Sequence, residues 1–361
     1  MLKPKILTVF GTRPEVIKLA PFIKAVAADG DCIGVTCATT QHRELQHDEL
    51  NLFAINADYD LDLMRPGQDL FHITISVLQG LHDVLTKEKP DYVIVQGDTS
   101  TAFVATLSAY YHKIPVVHLE AGLRTYNLDN PYPEEANRQL ISRIATLHMA
   151  PTDIAVANLQ SEGITKNVHK VGNTIVDALH MVLQSQESKQ SKQILITVHR
   201  RENFAENLQS ICFAIKELAE MYADFDFIWP VHPNPNIREY VYSNMQGIQN
   251  LKLRQPTSYP EMAALINSSA LILSDSGGIQ EEACILGKPI LVLRTETERP
   301  EIIAVGAGIL VGANPEMIIN EMQKIMANKT TIKPQADLYG LPGVSQRVIA
   351  LIKKHFNEKE V

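Results

Sequence analysis

Short apolar runs and longer amphipathic stretches alternate along the first half of the chain. Lys5–Phe10 and Ile33–Cys37 read as buried strands, and Val16–Ala27 between them has the three- and four-residue apolar spacing of a helix. Tyr92–Val95, Val116–Leu119 and Leu147–Ala150 continue the strand series, and Leu70–Leu85 and Thr101–Tyr111 fill the intervals as helices. This alternation predicts a parallel sheet covered on both faces. The polar stretch Gln184–Lys192 reads as a solvated loop. A second series follows, with strands over Ile194–Val198, Phe225–Val231, Leu251–Leu253, Leu271–Leu273, Ile290–Leu293 and Ile309–Val311.

A chain of 361 residues exceeds what one typical core supports. The pattern therefore predicts an α/β protein of two Rossmann-like, doubly wound domains facing each other. Residues 1–170 are assigned to the first and 171–344 to the second, with the boundary near His169–Asn173, ahead of a helix over Thr174–Leu183. The C-terminal helix, about 345–361, is expected to pack back on the first domain.

Composition narrows the function classes. A net charge of −8 argues against a nucleic-acid partner, which demands a basic face, but leaves room for a small phosphorylated ligand in a locally positive pocket. Cys32, Cys37, Cys212 and Cys284 form no C-x-x-C pair and sit in no histidine-rich cluster, so reduced thiols are expected rather than a disulfide framework or a metal site. The start, Met1–Lys5, leads straight into a strand without a signal-peptide core, and no apolar stretch is long enough to span a bilayer. A cytoplasmic location without membrane association is expected.

The most informative local pattern is Ser274-Asp275-Ser276-Gly277-Gly278-Ile279-Gln280-Glu281-Glu282, a strand, glycine turn and helix start. Adjacent glycines permit close approach to the backbone, and the first-turn N–H groups of a helix favour an anion. Ser276, Gly277 and Gly278 are thus placed against a diphosphate, with Glu282 one turn later positioned for a ribose diol. Arg294 and Arg299, after the next strand, are expected to supply cations. The first βα turn, Phe10-Gly11-Thr12-Arg13-Pro14-Glu15, holds one glycine and lacks the dinucleotide fingerprint, so a nicotinamide cofactor loses support.

Ligands of open α/β sheets bind outside the carboxyl ends of the strands. Asp98 and Glu120 each follow a first-domain strand closely, and Glu134 and Glu135 lie in Pro131–Arg138. Asp98 ahead of Thr99-Ser100 also fits a helix cap. Convergence of these acids on one cleft would suit acid–base chemistry, with neighbouring carboxylates raising one another's proton affinity. In the second domain His199, flanked by Arg200 and Arg201, ends one strand and His232 ends the next. The arginines favour a neutral imidazole or a bound anion.

Phe10–Glu15, Gln41-His42-Arg43-Glu44, Gly97-Asp98-Thr99, Glu120–Arg124, Pro133–Arg138, His199-Arg200-Arg201-Glu202 and Asp275–Glu282 together resemble the bacterial non-hydrolysing UDP-N-acetylglucosamine 2-epimerases, in order and over nearly the whole chain. The resemblance implies a GT-B-like fold with the active site between the domains. It implies interconversion of UDP-GlcNAc and UDP-ManNAc without a cofactor, through loss and re-addition of UDP around a 2-acetamidoglucal, supplying a cell-surface polysaccharide precursor. Matched by motif, Asp98, Glu120, Glu134 and His199 are the catalytic candidates, and Arg13, Lys18, Ser276, Gly277, Gly278, Glu282 and Arg299 the substrate contacts. A second, activating UDP-GlcNAc site maps to Gln41, Glu44, Arg65, Arg200 and His232, and a homodimer is implied. Two departures stand out. Met262 lies where relatives often carry an aromatic near the uracil, and Asp337–Val344 lacks the Asp-Gly usual there. A hydrolysing 2-epimerase, a GT-B glycosyltransferase and a nucleotide-sugar-binding regulator are the alternatives.

Overall fold

The computed structural model describes residues 2–39, 43–63, 65, 67–183, 191–200, 203–328 and 335–359, with the side chains at 43–47, 328, 336 and 359 left aside. Gln41, the side chain of Glu44, Arg201, Glu202 and most of the expected loop Gln184–Lys192 lie outside the described residues. The chain divides into two compact units, Met1–Met181 with Tyr339–Val361, and Val182–Leu338.

Unit 1 is built on a seven-stranded sheet. Its strands are β1 (Lys5–Phe10), β2 (Ile33–Ala38), β3 (Tyr59–Asp60), β4 (Tyr92–Gln96), β5 (Val116–Leu119), β6 (Leu147–Ala150) and β7 (Val168–Lys170). All pair in parallel, in the order β3-β2-β1-β4-β5-β6-β7. Unit 2 holds β8 (Gln193–Thr197), β9 (Asp226–Pro230), β10 (Leu251–Arg254), β11 (Leu271–Ser274), β12 (Ile290–Val292) and β13 (Gly308–Leu310), parallel in the order β10-β9-β8-β11-β12-β13. The continuous apolar strands are buried on both faces, as helices on either side of a parallel sheet require. Leu7, Val9, Val93 and Val95 anchor the core of unit 1, and Ile194, Ile196, Phe227 and Trp229 that of unit 2.

The strand order reverses between β1 and β4 in unit 1 and between β8 and β11 in unit 2. A crevice opens at such a switch point beyond the carboxyl ends of its strands. The loops that begin there carry Gly11–Arg13 and Gly97–Thr99 in one unit, and His199–Arg200 and Asp275–Gly277 in the other.

The division of the chain falls at Met181/Val182 and Leu338/Tyr339 rather than at 170/171 and 344/345. The sequence pattern gives no strand over 168–170, because Val-His-Lys at a half-exposed edge lacks an apolar run; nor does it give the two-residue β3. Yet β7 pairs with β6, and the helix Ile175–Leu183 buries Ile175, Val176, Ala178 and Leu179. Asp177 on that helix accepts hydrogen bonds from the backbone N–H groups of Gly343 (2.7 Å) and Ser345 (2.8 Å) and from Ser345 Oγ (2.7 Å). It thereby supplies the first turn of the C-terminal helix Val344–Lys359 with a carboxylate. Further along that helix, His355 Nδ1 lies 2.7 Å from Tyr92 Oη on β4.

Candidate active site

In unit 1 the turn after β1 is tight. A Cβ on Gly11 would sit 2.3 Å from Thr39 Oγ1 and 2.5 Å from Thr101 Oγ1, so only glycine fits. Thr12 and Glu15 then form a capping box at the head of the helix Arg13–Ala28. Glu15 accepts from Gly11 N (3.0 Å), Thr12 N (2.8 Å) and Thr12 Oγ1 (2.9 Å), and from Thr99 Oγ1 (2.7 Å) on the loop after β4. One buried carboxylate thus ties both sides of the switch point together. Its burial pushes its proton affinity up, against the pull of those hydrogen bonds. Arg13 Nε donates to Glu49 Oε1 at 2.6 Å, so its charge is matched within unit 1.

Thr99, not Asp98, caps the helix Ser100–Tyr111, accepting from Ala102 N at 3.0 Å. Asp98 instead accepts from Arg138 Nη2 at 2.5 Å and Nε at 3.1 Å, while Arg138 Nη1 donates to Glu135 at 2.8 Å. Behind this loop His118 Nε2 donates to the Gly97 carbonyl at 2.7 Å. Full burial drives that imidazole down to about 3, so it is neutral at ordinary pH. Glu120 follows β5 with a left-handed φ of +64°. Its side chain, 6% exposed, accepts from Lys18 Nζ, from Gln96 Nε2 (3.0 Å) and from Asn173 Nδ2 (2.9 Å). Glu134 opens the helix Glu134–Ile144.

Asp98 and Glu120 are therefore each matched with a cation. Lys18, expected at the nucleotide, is engaged with Glu120.

In unit 2 the buried Asp275 follows β11 and organises the loop after β8. It accepts from His199 N (3.0 Å), Arg200 N (2.9 Å), Asn203 Nδ2 (2.9 Å) and His199 Nδ1 (2.9 Å). Burial works to raise its carboxyl, but the His199 charge and these hydrogen bonds prevail and hold it at about 2. The pairing fixes a proton on His199 Nδ1 and turns Nε2 away from Asp275. The two arginines were expected to set the state of this ring; the carboxylate behind it supplies the opposite charge. The exposed His232 stacks obliquely beside His199, with ring centroids 5.8 Å apart.

The glycine turn splits into two roles. The helix Gly277–Ile285 starts at Ser276, whose side chain makes no capping hydrogen bond. A Cβ on Gly277 would lie 2.5 Å from Arg299 Nη1 and 2.8 Å from its Cζ, whereas one on Gly278 would meet nothing within 4 Å. Gly277 therefore makes room for a guanidinium of the protein itself, and Gly278 leaves the backbone open. Arg299 Nε donates to Glu281 at 2.7 Å and Nη1 pairs with Glu298. Arg294 was expected to offer its charge to a ligand. It is 1% exposed, and its Nη1 donates to Glu298 at 2.7 Å. Arg200 Nη2 approaches Glu298 at 3.7 Å, and its buried Nε has no acceptor among the described residues. Glu282 is 5% exposed and lies beside Tyr259. Burial, then the Glu282 carboxylate, holds that phenol well above its usual range. Arg65, in unit 1, is exposed and its N–H donates to Gln68 Oε1 at 3.1 Å.

Asp275, Glu15, Arg138, Glu281, Glu298, Tyr259 and Asn173 carry these constellations without having been assigned roles from sequence. Asp275 could have been found by its place directly after a strand, the rule that found Asp98. Asn173 had no such signal.

The sequence profile of the UDP-N-acetylglucosamine 2-epimerase family matches residues 24–353. The chain is 45% identical to a UDP-N-acetylglucosamine 2-epimerase of Neisseria meningitidis, over 97% of this chain and 100% of that one. A crystal structure of the UDP-GlcNAc 2-epimerase from Neisseria meningitidis bound to UDP-GlcNAc superposes with a TM-score of 0.92 at 44% identity, covering 97% of this chain and 100% of that one. The Methanocaldococcus jannaschii UDP-GlcNAc 2-epimerase in complex with UDP-GlcNAc and UDP gives 0.88 at 36% identity, covering 97% and 99%. On sequence and fold together, the chain belongs to the UDP-N-acetylglucosamine 2-epimerase family.

Proposed function

We propose that this protein inverts C2 of UDP-N-acetylglucosamine to give UDP-N-acetylmannosamine, reversibly and without net hydrolysis. The observation that carries this is the placing of paired acidic and basic groups, each pair with at least one buried member, in the loops after the strands beside both switch points. The Asp275–His199 pair and the Arg299 cluster stand at one, and Glu120–Lys18 and Asp98–Arg138 at the other. The structures of two relatives in complex with UDP-GlcNAc support the same ligand.

The roles follow from the chemistry. A C2 proton is not acidic by itself, so its removal is coupled to departure of UDP from C1. The C–H electrons form the C1–C2 double bond, and the C1–O pair leaves with the diphosphate. Return of UDP to C1 and protonation of C2 on the opposite face complete the inversion. Asp98, Glu120, Glu134 and His199 are the groups proposed to take and return protons. The first-turn N–H groups after Ser276, with Arg299 held beside Gly277, stabilise the departing diphosphate. Arg13, Lys18, Gly278 and Glu282 complete the proposed substrate contacts. No nicotinamide enters the scheme.

Activation by a second UDP-GlcNAc is proposed through Gln41, Glu44, Arg65, Arg200 and His232. The buried Arg200 Nε, still open to an acceptor, supports an anion near that residue. A homodimer is proposed from the family resemblance. A cytoplasmic location completes the proposal. None of the described helices is long and apolar enough to cross a membrane.

Incubation with UDP-GlcNAc in deuterated water tests the reaction. The expected product is UDP-ManNAc carrying deuterium at C2. Free ManNAc and UDP as sole products would assign the hydrolysing reaction instead. Transfer to an acceptor without C2 exchange would assign a glycosyltransferase.

A further inference from the structure

Asn173 sits in the turn between β7 and the helix Ile175–Leu183 and is 2% exposed. All its polar groups are used. Its backbone N–H donates to the Tyr339 carbonyl at 2.8 Å, its Oδ1 accepts from Ile175 N at 3.1 Å, and its Nδ2 donates to Glu120 Oε2 at 2.9 Å. One residue therefore joins a candidate catalytic carboxylate to Tyr339, where the chain re-enters unit 1.

That junction leaves little freedom. Gly172 has φ +94°, and a Cβ there would lie 2.5 Å from the Tyr339 carbonyl oxygen. Gly340 has φ +87°, and a Cβ there would lie 3.0 Å from Gly172 Cα. Arg347 donates to the Val171 carbonyl at 3.0 Å and to the Leu341 carbonyl at 2.7 Å, and Asp177 binds the backbone of Gly343 and Ser345. The returning chain is thus locked to the Asn173 turn by backbone contacts on both sides. Glu120 needs such support, because a non-glycine residue at φ +64° holds its conformation only where its surroundings impose it.

We propose that Asn173 is a positioning residue for Glu120: it fixes the orientation and charge of that carboxylate by reference to the returning chain at Tyr339. This rests on the assignment of Glu120 to the epimerase reaction. Lys18 and Gln96 hold Glu120 from the helix after β1 and from β4, so removing Asn173 Nδ2 leaves the carboxylate bound but without its anchor on the returning chain. A hydrogen bond to the charged form also favours that form, and its loss moves the carboxylate's titration toward higher pH.

The test uses the full chain and follows C2 epimerisation over pH for wild type, Asn173→Ala and Asn173→Asp. The alanine variant is expected to lose about 10- to 100-fold in kcat, the cost of one hydrogen bond to a charged group, with KM nearly unchanged. Its acidic limb should move to higher pH. Asn173→Asp keeps the acceptor for Ile175 and the side-chain volume, so it decides the matter if the alanine variant does not fold. It should be impaired at neutral pH and recover on acidification, when the introduced carboxyl carries a proton to donate. Wild-type kcat in Asn173→Ala overturns the proposal. So does an equal loss in both variants with an unmoved pH profile, which is the signature of a merely structural residue. Absence of C2 exchange in the wild type sinks the epimerase assignment itself; exchange in the wild type with unimpaired variants sinks only the role of Asn173.

Discussion

The paired glycines at the head of the helix Gly277–Ile285 allow a contrast within one turn. Replacing Gly277 with alanine puts a methyl carbon 2.5 Å from Arg299 Nη1 and 2.8 Å from its Cζ. An arginine tip usually yields to such pressure, but this one is 6% exposed and held by Glu281 at 2.7 Å and by Glu298. Restoring ordinary contact requires a retreat of about 1 Å, which stretches a 2.7 Å bond beyond hydrogen-bonding range. Losing one charge-assisted hydrogen bond in a buried setting costs about 1.5–3 kcal/mol, and alanine over glycine in a helix returns at most about 1 kcal/mol. Gly277→Ala should therefore destabilise by at least about 0.5–2 kcal/mol. Gly278→Ala, with nothing within 4 Å of its new methyl, should be neutral or slightly stabilising. Equilibrium urea unfolding of both variants reads the difference, and calorimetric titration with UDP should show about tenfold weaker binding for Gly277→Ala. Equal stability of the two variants would refute the claim that Gly277 exists to seat Arg299.

Acidification should destabilise the protein before its carboxylates titrate. Burial pushes His118 down to about 3 and His148 to about 4, from a usual value of 6.5. The unfolded chain takes up these protons first, so the stability is complete above the unfolded value and lost as pH falls toward the folded ones. Between pH 7 and pH 5 each residue should cost about 2 kcal/mol at most. Asp275, held at about 2, adds a loss below the ordinary aspartate range, because its folded value lies under its unfolded one. Urea midpoints that do not change between pH 7 and pH 5 would rule out neutral burial of the two histidines. Asp275→Asn replaces an acceptor by an amide facing donors from His199, Arg200 and Asn203. It should lower kcat by about 10²- to 10³-fold by releasing the His199 tautomer, and a variant retaining half of wild-type turnover would show that the pair has no part in the reaction.

Much of this was legible in the chain itself. The inner strands of both sheets announce themselves as apolar runs, because a parallel strand buried on both faces must be apolar throughout, whereas the edge strand β10 alternates as Leu-Lys-Leu-Arg. The rule that ligands gather at strand carboxyl ends then picked out Asp98, Glu120, His199 and the Ser276–Gly278 turn. The partners of those residues were not legible. Arg294 and Arg299 look alike as cations after a strand, yet one is 1% exposed and paired with Glu298 and the other lies against Gly277. Asp98 and Thr99 both have cap chemistry, and only in the folded structure does threonine cap while aspartate pairs with Arg138.

The sequence by itself determined two parallel α/β units and the family to which they belong, because strand burial and motif spacing are local properties. The tertiary structure alone decided which charge meets which. Lys18 meets Glu120 across 102 positions, His199 meets Asp275 across 76, and Asp177 reaches Ser345 across 168. No periodicity in a chain encodes such pairings, since they arise only when the fold brings distant segments of the chain together.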